Sequence, residues 1–394
     1  MVYANGKQDY EKASEYFKKS KKDILGILLR LGGEHREAIL PSLKPLLDED
    51  SFFMSVVPDK NNNLDKYKEA YLLSILIISQ LHIKKEKLVA YYTQKNIAEK
   101  LLLTNSKFRL NSINYSNDPK EGQTLLDYFW GENKLIHPNP NNGYAAFAGC
   151  FTFNHDSLNQ FRLYGKEDNK ECTGLSLVFD DGFFNRDAKL ATQSLTSNFD
   201  GMNISKQTGE KEEKCALFRC IYIDPETDFV VSVGHKEEYL FKKEDVDKKI
   251  IAKYTEDIDK VLEKVRENLK ELKGKIVEIQ EEEGKDFRHE IIGQLLINLR
   301  YLTKHVAFKE EQECRIVRIL PLNESSKKKE DKMIKIDDDS KQTYKQMYVD
   351  YLEVKNSVKK IYFGTKSTNM ELFQDILTNK GLDIPCEKSK NPFA

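Results

Sequence analysis

Apolar residues in the first eighty positions recur at three- and four-residue steps, which is the spacing of one face of a helix. Tyr10, Ala13 and Phe17 form the first such stripe, and a second occupies residues 24–31. A third apolar run extends over residues 65–78. The pattern therefore predicts that residues 7–83 are largely helical.

The pattern changes near residue 86, where short runs rich in β-branched and aromatic residues begin. These runs predict strands at 87–94, 107–115, 144–153, 172–179, 215–223, 228–233, 313–320 and 358–365. Helical patterns lie among them at 95–105, 122–131 and 369–380. Residues 243–305 have a near-heptad apolar rhythm that a charged turn interrupts, which predicts an antiparallel helical hairpin.

Together these patterns predict an α+β chain in two parts. Residues 1–85 form an α-helical segment, and residues 86–394 form a mixed β-rich domain with the hairpin at about 243–305 inserted. The stretch DYEKASEYFKKS (9–20) is similar to the second helix of a tetratricopeptide repeat, in which a small residue lets neighbouring helices approach. An ordinary helical bundle is the alternative interpretation.

Charge and cysteine content narrow the class of protein. Lys plus Arg number 63 and Asp plus Glu number 64, so no overall basic field favours nucleic acid or an anionic membrane. The six cysteines lack metal-ligand or C-x-x-C spacing, which indicates reduced thiols, and no metal site is predicted. The most apolar run, 70–83, is too short to span a bilayer. We therefore expect a cytoplasmic protein with no membrane partner, although an effector exported without a cleaved signal would share these features.

Three predicted strand regions combine polar groups in ways that suit a binding site. The first is the run Tyr91, Tyr92 and Thr93, whose alternative role is core packing. The second joins Thr152 to the segment HDSLNQFRLYG (155–165), which contains Arg162 and Tyr164. An arginine beside aromatic residues needs an anionic or carbonyl partner, either a ligand or a group of the protein.

The third region is FKEEQECRIVRI (308–319). Glu311 and Glu313 are two residues apart, so on a strand both side chains point the same way, with Arg315 next on that face. Cys314 and Ile316 alternate with them and can be buried. Carboxylates at the entry to an apolar strand are either charges at a frayed edge or catalytic groups at a cleft.

Four ordered motifs are similar to those of a bacterial family, the domain-of-unknown-function 2971 family. They are LVAYYTQKNIAEKLLLTNSKFRLNSINYSNDPKEG, SLNQFRLYGKEDNKECTGLSLVF, FKEEQECRIVRI and the closing IYFGTKSTNMELFQDILTNKGLDIPCEKSKNPF. The resemblance covers roughly residues 86–394. The order of the motifs also resembles, more remotely, the H-Y-E branch of the ADP-ribosyltransferase superfamily, which binds NAD.

The second resemblance implies a role for each matched residue. Tyr91 and Tyr92 would lie on the first strand of the NAD site, with Tyr91 where histidine is usual, and Thr93 beside them. Thr152 would lie on the central strand. Glu313 would be the transferase glutamate, which stabilises the cationic sugar as nicotinamide leaves, and Glu311 would orient or deprotonate the acceptor.

The resemblance therefore implies an NAD-consuming enzyme that transfers ADP-ribose to a protein or nucleic acid, with Arg162 and Tyr164 also lining the NAD site. Its helical N-terminus would choose the target through a protein contact, and its biological role would range from toxin or defence effector to housekeeping regulator. The alternative is a non-catalytic interaction or nucleotide-sensing module on the same fold. Nucleic-acid processing without NAD is a third reading, but basic residues cluster only in SSKKKEDKMIK (325–335).

The loop NDPKEG (117–122) has two interpretations. Asp118 at an N-cap, Pro119 at the first helical position and Glu121 reaching back would make a capping box. Such a cap does not need Asn117, which we therefore expect to face the cleft and contact the NAD ligand.

Overall fold

A computed structural model describes residues 27, 30, 64–113, 118, 120–131, 144–164, 166, 169–186, 214–227, 229–236, 248–322, 333–337 and 347–392. The helix predicted near residue 65 is confirmed, because α1 occupies Leu64–Leu81. The two helices predicted upstream of it lie outside the described residues, apart from Ile27 and Arg30, which are both helical.

Seven further helices follow in the described part of the chain. They are α2 (Lys95–Leu103), α3 (Thr124–Trp130), α4 (Leu158–Leu163), α5 (Lys248–Glu283), α6 (His289–Leu295), α7 (Ile297–Arg300) and α8 (Met370–Asn379). Short 3-10 turns occupy Asp181–Phe183, Gly284–Asp286 and Val306–Glu311.

The described strands run from β1 to β13. They are β1 (Leu88–Thr93), β2 (Lys107–Ser112), β3 (Tyr144–Thr152), β4 (Leu175–Asp180), β5 (Phe218–Arg219), β6 (Ile221–Asp224), β7 (Phe229–Val233), β8 (Thr303–His305), β9 (Glu313–Pro321), β10 (Ile334–Ile336), β11 (Met347–Glu353), β12 (Val358–Phe363) and β13 (Cys386–Lys388). The chain is therefore a mixed α and β protein, as its patterning predicts.

One large sheet organises the fold around β3. Its strand order is β10-β11-β2-β3-β1-β4-β12-β13, while β9 pairs along the other edge of β3 and carries β5. A smaller sheet has the order β7-β6-β8. Strand β3 pairs with β1 only at Ala90–Thr152 and with β2 only at residues 111–112 of that strand. Both β1 and β2 therefore separate from β3 over the rest of its length. The rings of Tyr91 on β1 and Phe108 on β2 pack edge to face, with centroids 4.9 Å apart.

The two faces of the large sheet are buried in different cores. On one face, Ala146, Ala148 and Ile319 belong to the same core cluster as the apolar residues of α1, α3, α5, α6 and α7. On the other face, Phe147, Phe151 and Cys314 pack in a second cluster with residues of α2 and α8. The helical residues on both sides of the predicted boundary at 85/86 thus share one core with the sheet.

The predicted helical hairpin differs in its second half. Helix α5 has 36 residues and packs against α1, but the chain after it forms two short helices, α6 and α7, instead of one long helix. At the break between α6 and α7 a side chain takes up a backbone carbonyl, because Arg300 donates from Nη1 to the carbonyl of Gly293 at 3.2 Å. In a continuous helix that carbonyl would accept the backbone N–H of residue 297.

Among the described residues, no helix is both long enough and apolar enough to cross a membrane.

Candidate functional site

Two buried carboxylates converge on one buried lysine at the start of β9. Lys304 on β8 donates to Oε2 of Glu313 at 2.6 Å and also donates to Oε2 of Glu311. All three side chains are less than one-tenth exposed. Because buried charges need close opposite partners, the lysine stabilises both carboxylates within the protein interior.

Glu311 does not lie on the strand, which corrects the predicted E-x-E geometry. It ends the 3-10 turn Val306–Glu311, and Gln312 follows with φ of 46°, in the left-handed region. Only Glu313 begins β9, paired with Thr152 of β3. The turn nevertheless brings the two carboxylates together, because Lys304 lies between them. The predicted burial of Cys314 and Ile316 on the opposite face is confirmed.

Arg315 completes an acidic cluster and connects it to the loop before α3. The acidic cluster consists of Glu121, Lys304, Glu311, Glu313 and Arg315. It donates to Glu313 from Nε at 2.6 Å and binds both oxygens of Glu121, at 2.5 and 3.0 Å. The interpretation of Glu121 as part of a capping box is therefore wrong, and α3 begins at Thr124 with Gln123 as its N-cap. Asp118 instead accepts the backbone N–H of Lys120 at 2.8 Å, which closes a local turn.

The cluster sets the protonation of the two glutamates in opposite directions. Burial pushes the pKa of Glu313 upward, but Arg315 and Lys304 outweigh it and hold that pKa well below the usual range. Burial raises the pKa of Glu311 above its usual value, and Lys304 opposes this only in part. Glu313 is thus a fixed anion, while Glu311 holds its proton more readily.

Glu311 also reaches an open pocket of about 320 Å³. One wall comes from α4 and the chain after it, and the other comes from the turn at 306–311. The lining residues are Asn159, Gln160, Arg162, Leu163, Lys166, Glu171, Ala307, Phe308, Glu310 and Glu311. The phenol of Tyr164 donates to Oε1 of Glu311 at 2.8 Å. Glu313 is not among the lining residues, so Glu311 is the cluster's contact with the pocket.

Thr152 and Tyr92 lie near this pocket, but their hydroxyl groups bind the protein itself. Thr152 donates to the carbonyl of Glu311 at 2.6 Å and accepts the N–H of Asn154 at 3.0 Å. The hydroxyl of Tyr92 donates to the carbonyl of Asn154 at 2.9 Å and accepts the N–H of Ser157 at 2.8 Å. Both residues therefore fix the backbone that holds Glu311 and α4.

The other predicted residues are distributed around the sheet. Tyr91 packs against Phe108 and Phe151, on the face opposite Glu313, and Thr93 is buried two residues further along β1. Arg162 lines the pocket and pairs with Glu171 at 3.0 Å, which is the protein partner that the sequence left open. Asn117 lies outside the described residues.

Lys304, Glu121 and Tyr222 belong to the site although sequence reasoning did not select them. The phenol of Tyr222 on β6 accepts the backbone N–H of Glu313 at 2.7 Å. Lys304 falls within the segment predicted as helix, and Glu121 was explained by local capping. The available signal was the E-x-E-C-R segment itself, because a buried acidic pair requires cations elsewhere in the chain.

The described residues contain no group of three or more His, Cys, Asp or Glu side chains that could hold a metal ion. No family model, no curated protein and no solved structure matches the chain.

Proposed function

We propose that this chain is an ADP-ribosyltransferase-like enzyme, which consumes NAD and uses Glu311 as the carboxylate that meets the substrate. The acceptor would be a protein or a nucleic acid, selected by the helical N-terminal segment. The observation that carries the proposal is a pair of carboxylates whose environments move their pKa values apart, one of them lining a pocket. Such pairs are typical of sites that divide acid, base and electrostatic roles.

The proposed step is cleavage of the bond between ribose C1′ and the nicotinamide nitrogen. The bonding electrons leave with nicotinamide, which becomes neutral, and the sugar develops the charge of an oxocarbenium ion. An ionised Glu311 would stabilise that charge, as carboxylates do in glycoside hydrolysis. The acceptor nucleophile then bonds to C1′, and its proton passes to Glu311.

Glu313 has a different part in this proposal from the one that the resemblance implies. It does not line the pocket, and its two oxygens accept from Lys304 and Arg315 at distances from 2.6 to 3.0 Å. Its position is therefore better suited to hold Lys304 in place than to contact a sugar. Lys304 in turn keeps a positive charge beside Glu311, which favours the ionised form needed for the step.

The pocket volume bears on how NAD would bind. A volume of about 320 Å³ is at the lower end for small-molecule sites. It would accept the nicotinamide-ribose end, with the Phe308 ring on one wall, and leave the rest of the dinucleotide outside. Tyr91 has no role in the proposal because it packs on the other face of the sheet.

The test is release of nicotinamide from NAD by the full chain, with and without a cell lysate as acceptor source. We expect Glu311→Gln to lose most of the activity, while Glu263→Gln, an exposed change on α5, retains it. Equal release by wild type and Glu311→Gln would refute the proposal.

A second candidate function is a non-catalytic module that senses a nucleotide. It is favoured by the hydroxyl groups of Thr152 and Tyr92, which are committed to backbone partners and therefore supply no group for a chemical step. In this case calorimetry would detect NAD binding that Glu311→Gln weakens, while nicotinamide release would stay at the rate without protein.

A further inference from the structure

Arg300 is a buried cation whose described hydrogen bonds all go to backbone carbonyls, and its guanidinium also lies 5.8 Å from the centroid of the Tyr301 ring. It is 2 % exposed, it is among the largest fully enclosed side chains, and it ends α7. Nε donates to the carbonyl of Gly122 at 2.8 Å and Nη1 to that of Gly293 at 3.2 Å. Among the described residues no carboxylate pairs with it, and burial lowers its pKa to about 10. Burying a charge in this way is costly, so its position calls for an explanation.

The bond to Gly122 connects Arg300 to the acidic cluster. Gly122 follows Glu121, whose carboxylate is bound by Arg315 through two hydrogen bonds. Two guanidinium groups therefore hold adjacent residues, Arg300 by the backbone and Arg315 by the side chain. Gly122 has φ of +74°, and a Cβ there would lie 2.6 Å from Cε1 of Tyr301, so the loop packs closely against that ring and requires glycine at this position.

We infer that Arg300 is a positioning residue, which keeps Glu121 on Arg315 and thereby sets the charge that the cluster presents to Glu311. The bond to Gly122 fixes the loop at the residue after Glu121. Without it, Glu121 is free to leave Arg315 for solvent, where a carboxylate is better hydrated. An effect of Arg300 on catalysis rests on the proposed function of Glu311. The inferred coupling of Arg300 to the pKa of Glu311 through Glu121 does not depend on that function.

The sign of the effect follows from counting charges. When ionised, Glu121, Glu311 and Glu313 oppose only Lys304 and Arg315, which leaves one net negative charge. Departure of Glu121 removes a negative charge from the cluster, so ionisation of Glu311 becomes easier and its pKa falls. Loss of the Arg300 charge by itself acts in the opposite direction and would raise that pKa.

Glu311 also meets charged and titratable groups from each element around it. Lys304 comes from β8, Glu313 from β9 and Tyr164 from the end of α4, while Arg315 is bound to Glu313. The pocket adds Arg162, Lys166, Glu171 and Glu310. Arg300→Met leaves all of these in the chain, so a fall in the pKa of Glu311 would report on Glu121.

The experiment is a pH titration of the full chain labelled with ¹³C at the glutamate carboxyl carbon. The Glu311 signal is assigned by its absence in Glu311→Gln. We expect Arg300→Met to lower the pKa of Glu311 by less than the roughly one unit that a unit charge ~10 Å away produces at an effective dielectric constant of about 20, because loss of the Arg300 charge opposes the departure of Glu121. Arg266→Met is the matched control, because Arg266 also donates to a carbonyl, that of Val230 at 2.9 Å.

A double-mutant cycle separates this coupling from general loosening of the site. Glu121→Gln should produce a larger fall than Arg300→Met, because it keeps the Arg300 charge, and Arg300→Met added to Glu121→Gln should produce no further fall. Should Arg300→Met not fold, Arg300→Leu takes its place, since leucine also lacks both the charge and the donor for Gly122, and the same fall is expected. A pKa of Glu311 that stays unchanged or rises in the folded Arg300 variant would overturn the inference, as would a further fall in the double variant.

Discussion

Replacing Lys304 with methionine is the sharpest perturbation of the acidic cluster. The ammonium group has two carboxylate partners, Glu311 and Glu313, and its side chain is 4 % exposed. Removing one partner of a buried ion pair leaves an uncompensated charge and costs about 3–5 kcal/mol. Methionine nearly preserves the length of the side chain, so we assign the loss mainly to charge and not to a cavity. We therefore expect Lys304→Met to lower the free energy of unfolding by about that amount at pH 7.

The pH dependence of this loss has a definite sign. In the wild type, Glu313 has a depressed pKa, so its stabilisation is present above the unfolded pKa of about 4.3 and is lost as the pH falls through the folded value. Glu311 has a raised pKa, so its ionisation costs stability as the pH rises above the unfolded pKa. Without Lys304 both pKa values rise, so ionised Glu311 costs more stability, and Glu313, which keeps Arg315, contributes less. The loss caused by Lys304→Met should be smaller at pH 4.5 than at pH 8.

Denaturant unfolding followed by fluorescence provides the assay. Trp130 is the only tryptophan in the chain, is buried, and packs against His289 with ring centroids 4.9 Å apart. Lys260→Met on the exposed face of α5 is the control, because its salt bridge with Glu256 is exposed on both sides. The double variant Lys304→Met/Glu311→Gln should recover part of the loss, since one buried charge is removed.

Two results would refute this reasoning. One is a loss from Lys304→Met no larger than that from Lys260→Met. The other is a loss that grows as the pH falls, because that would mean that the lysine does not stabilise ionised carboxylates.

Three other predictions concern the loop, the pocket and the thiols. Gly122→Ala should destabilise the chain by about 1–3 kcal/mol because of its positive φ, whereas Gly274→Ala on α5 meets no atom within 4 Å and should be neutral or stabilising in the same unfolding assay. Tyr164→Phe removes a hydrogen bond to Glu311 and should raise the pKa of that carboxyl by about 1–2 units in the ¹³C titration. Cys150 is solvent-accessible, but the protein around it raises the pKa of its thiol. Maleimide labelling at pH 7, followed by mass spectrometry, should therefore be slower than labelling of a thiolate.

The strands that position the site could be predicted from the sequence, because their patterns are local. Strands β1, β2, β3 and β9 are runs of six to nine residues rich in apolar, β-branched or aromatic side chains, and β2 also alternates buried and exposed positions. Helix α4 has only six residues, less than two turns, so no periodicity could identify it. Strands β10 and β13 have three residues each and are equally short of signal.

The cluster itself could be predicted only in part, because its partners are distant in the chain. Glu311 and Glu313 were selected from their spacing, but the partner of Glu121 is 194 residues away. A capping role accounts for Glu121 from its neighbours in the sequence alone, so the pattern gives no indication of its contact with Arg315. Lys304 is not predicted for a related reason. The helical pattern of α7 continues up to it, and β8 has only three residues, so the sequence does not indicate a strand there.

The pH dependence of nicotinamide release from NAD tests the central claim most directly. If an ionised Glu311 is the group that meets the substrate, release by the wild-type chain should rise as the pH increases through the pKa of Glu311 measured by ¹³C titration, and Glu311→Gln should show neither the rise nor appreciable release. A profile that is the same in wild type and Glu311→Gln would contradict the account.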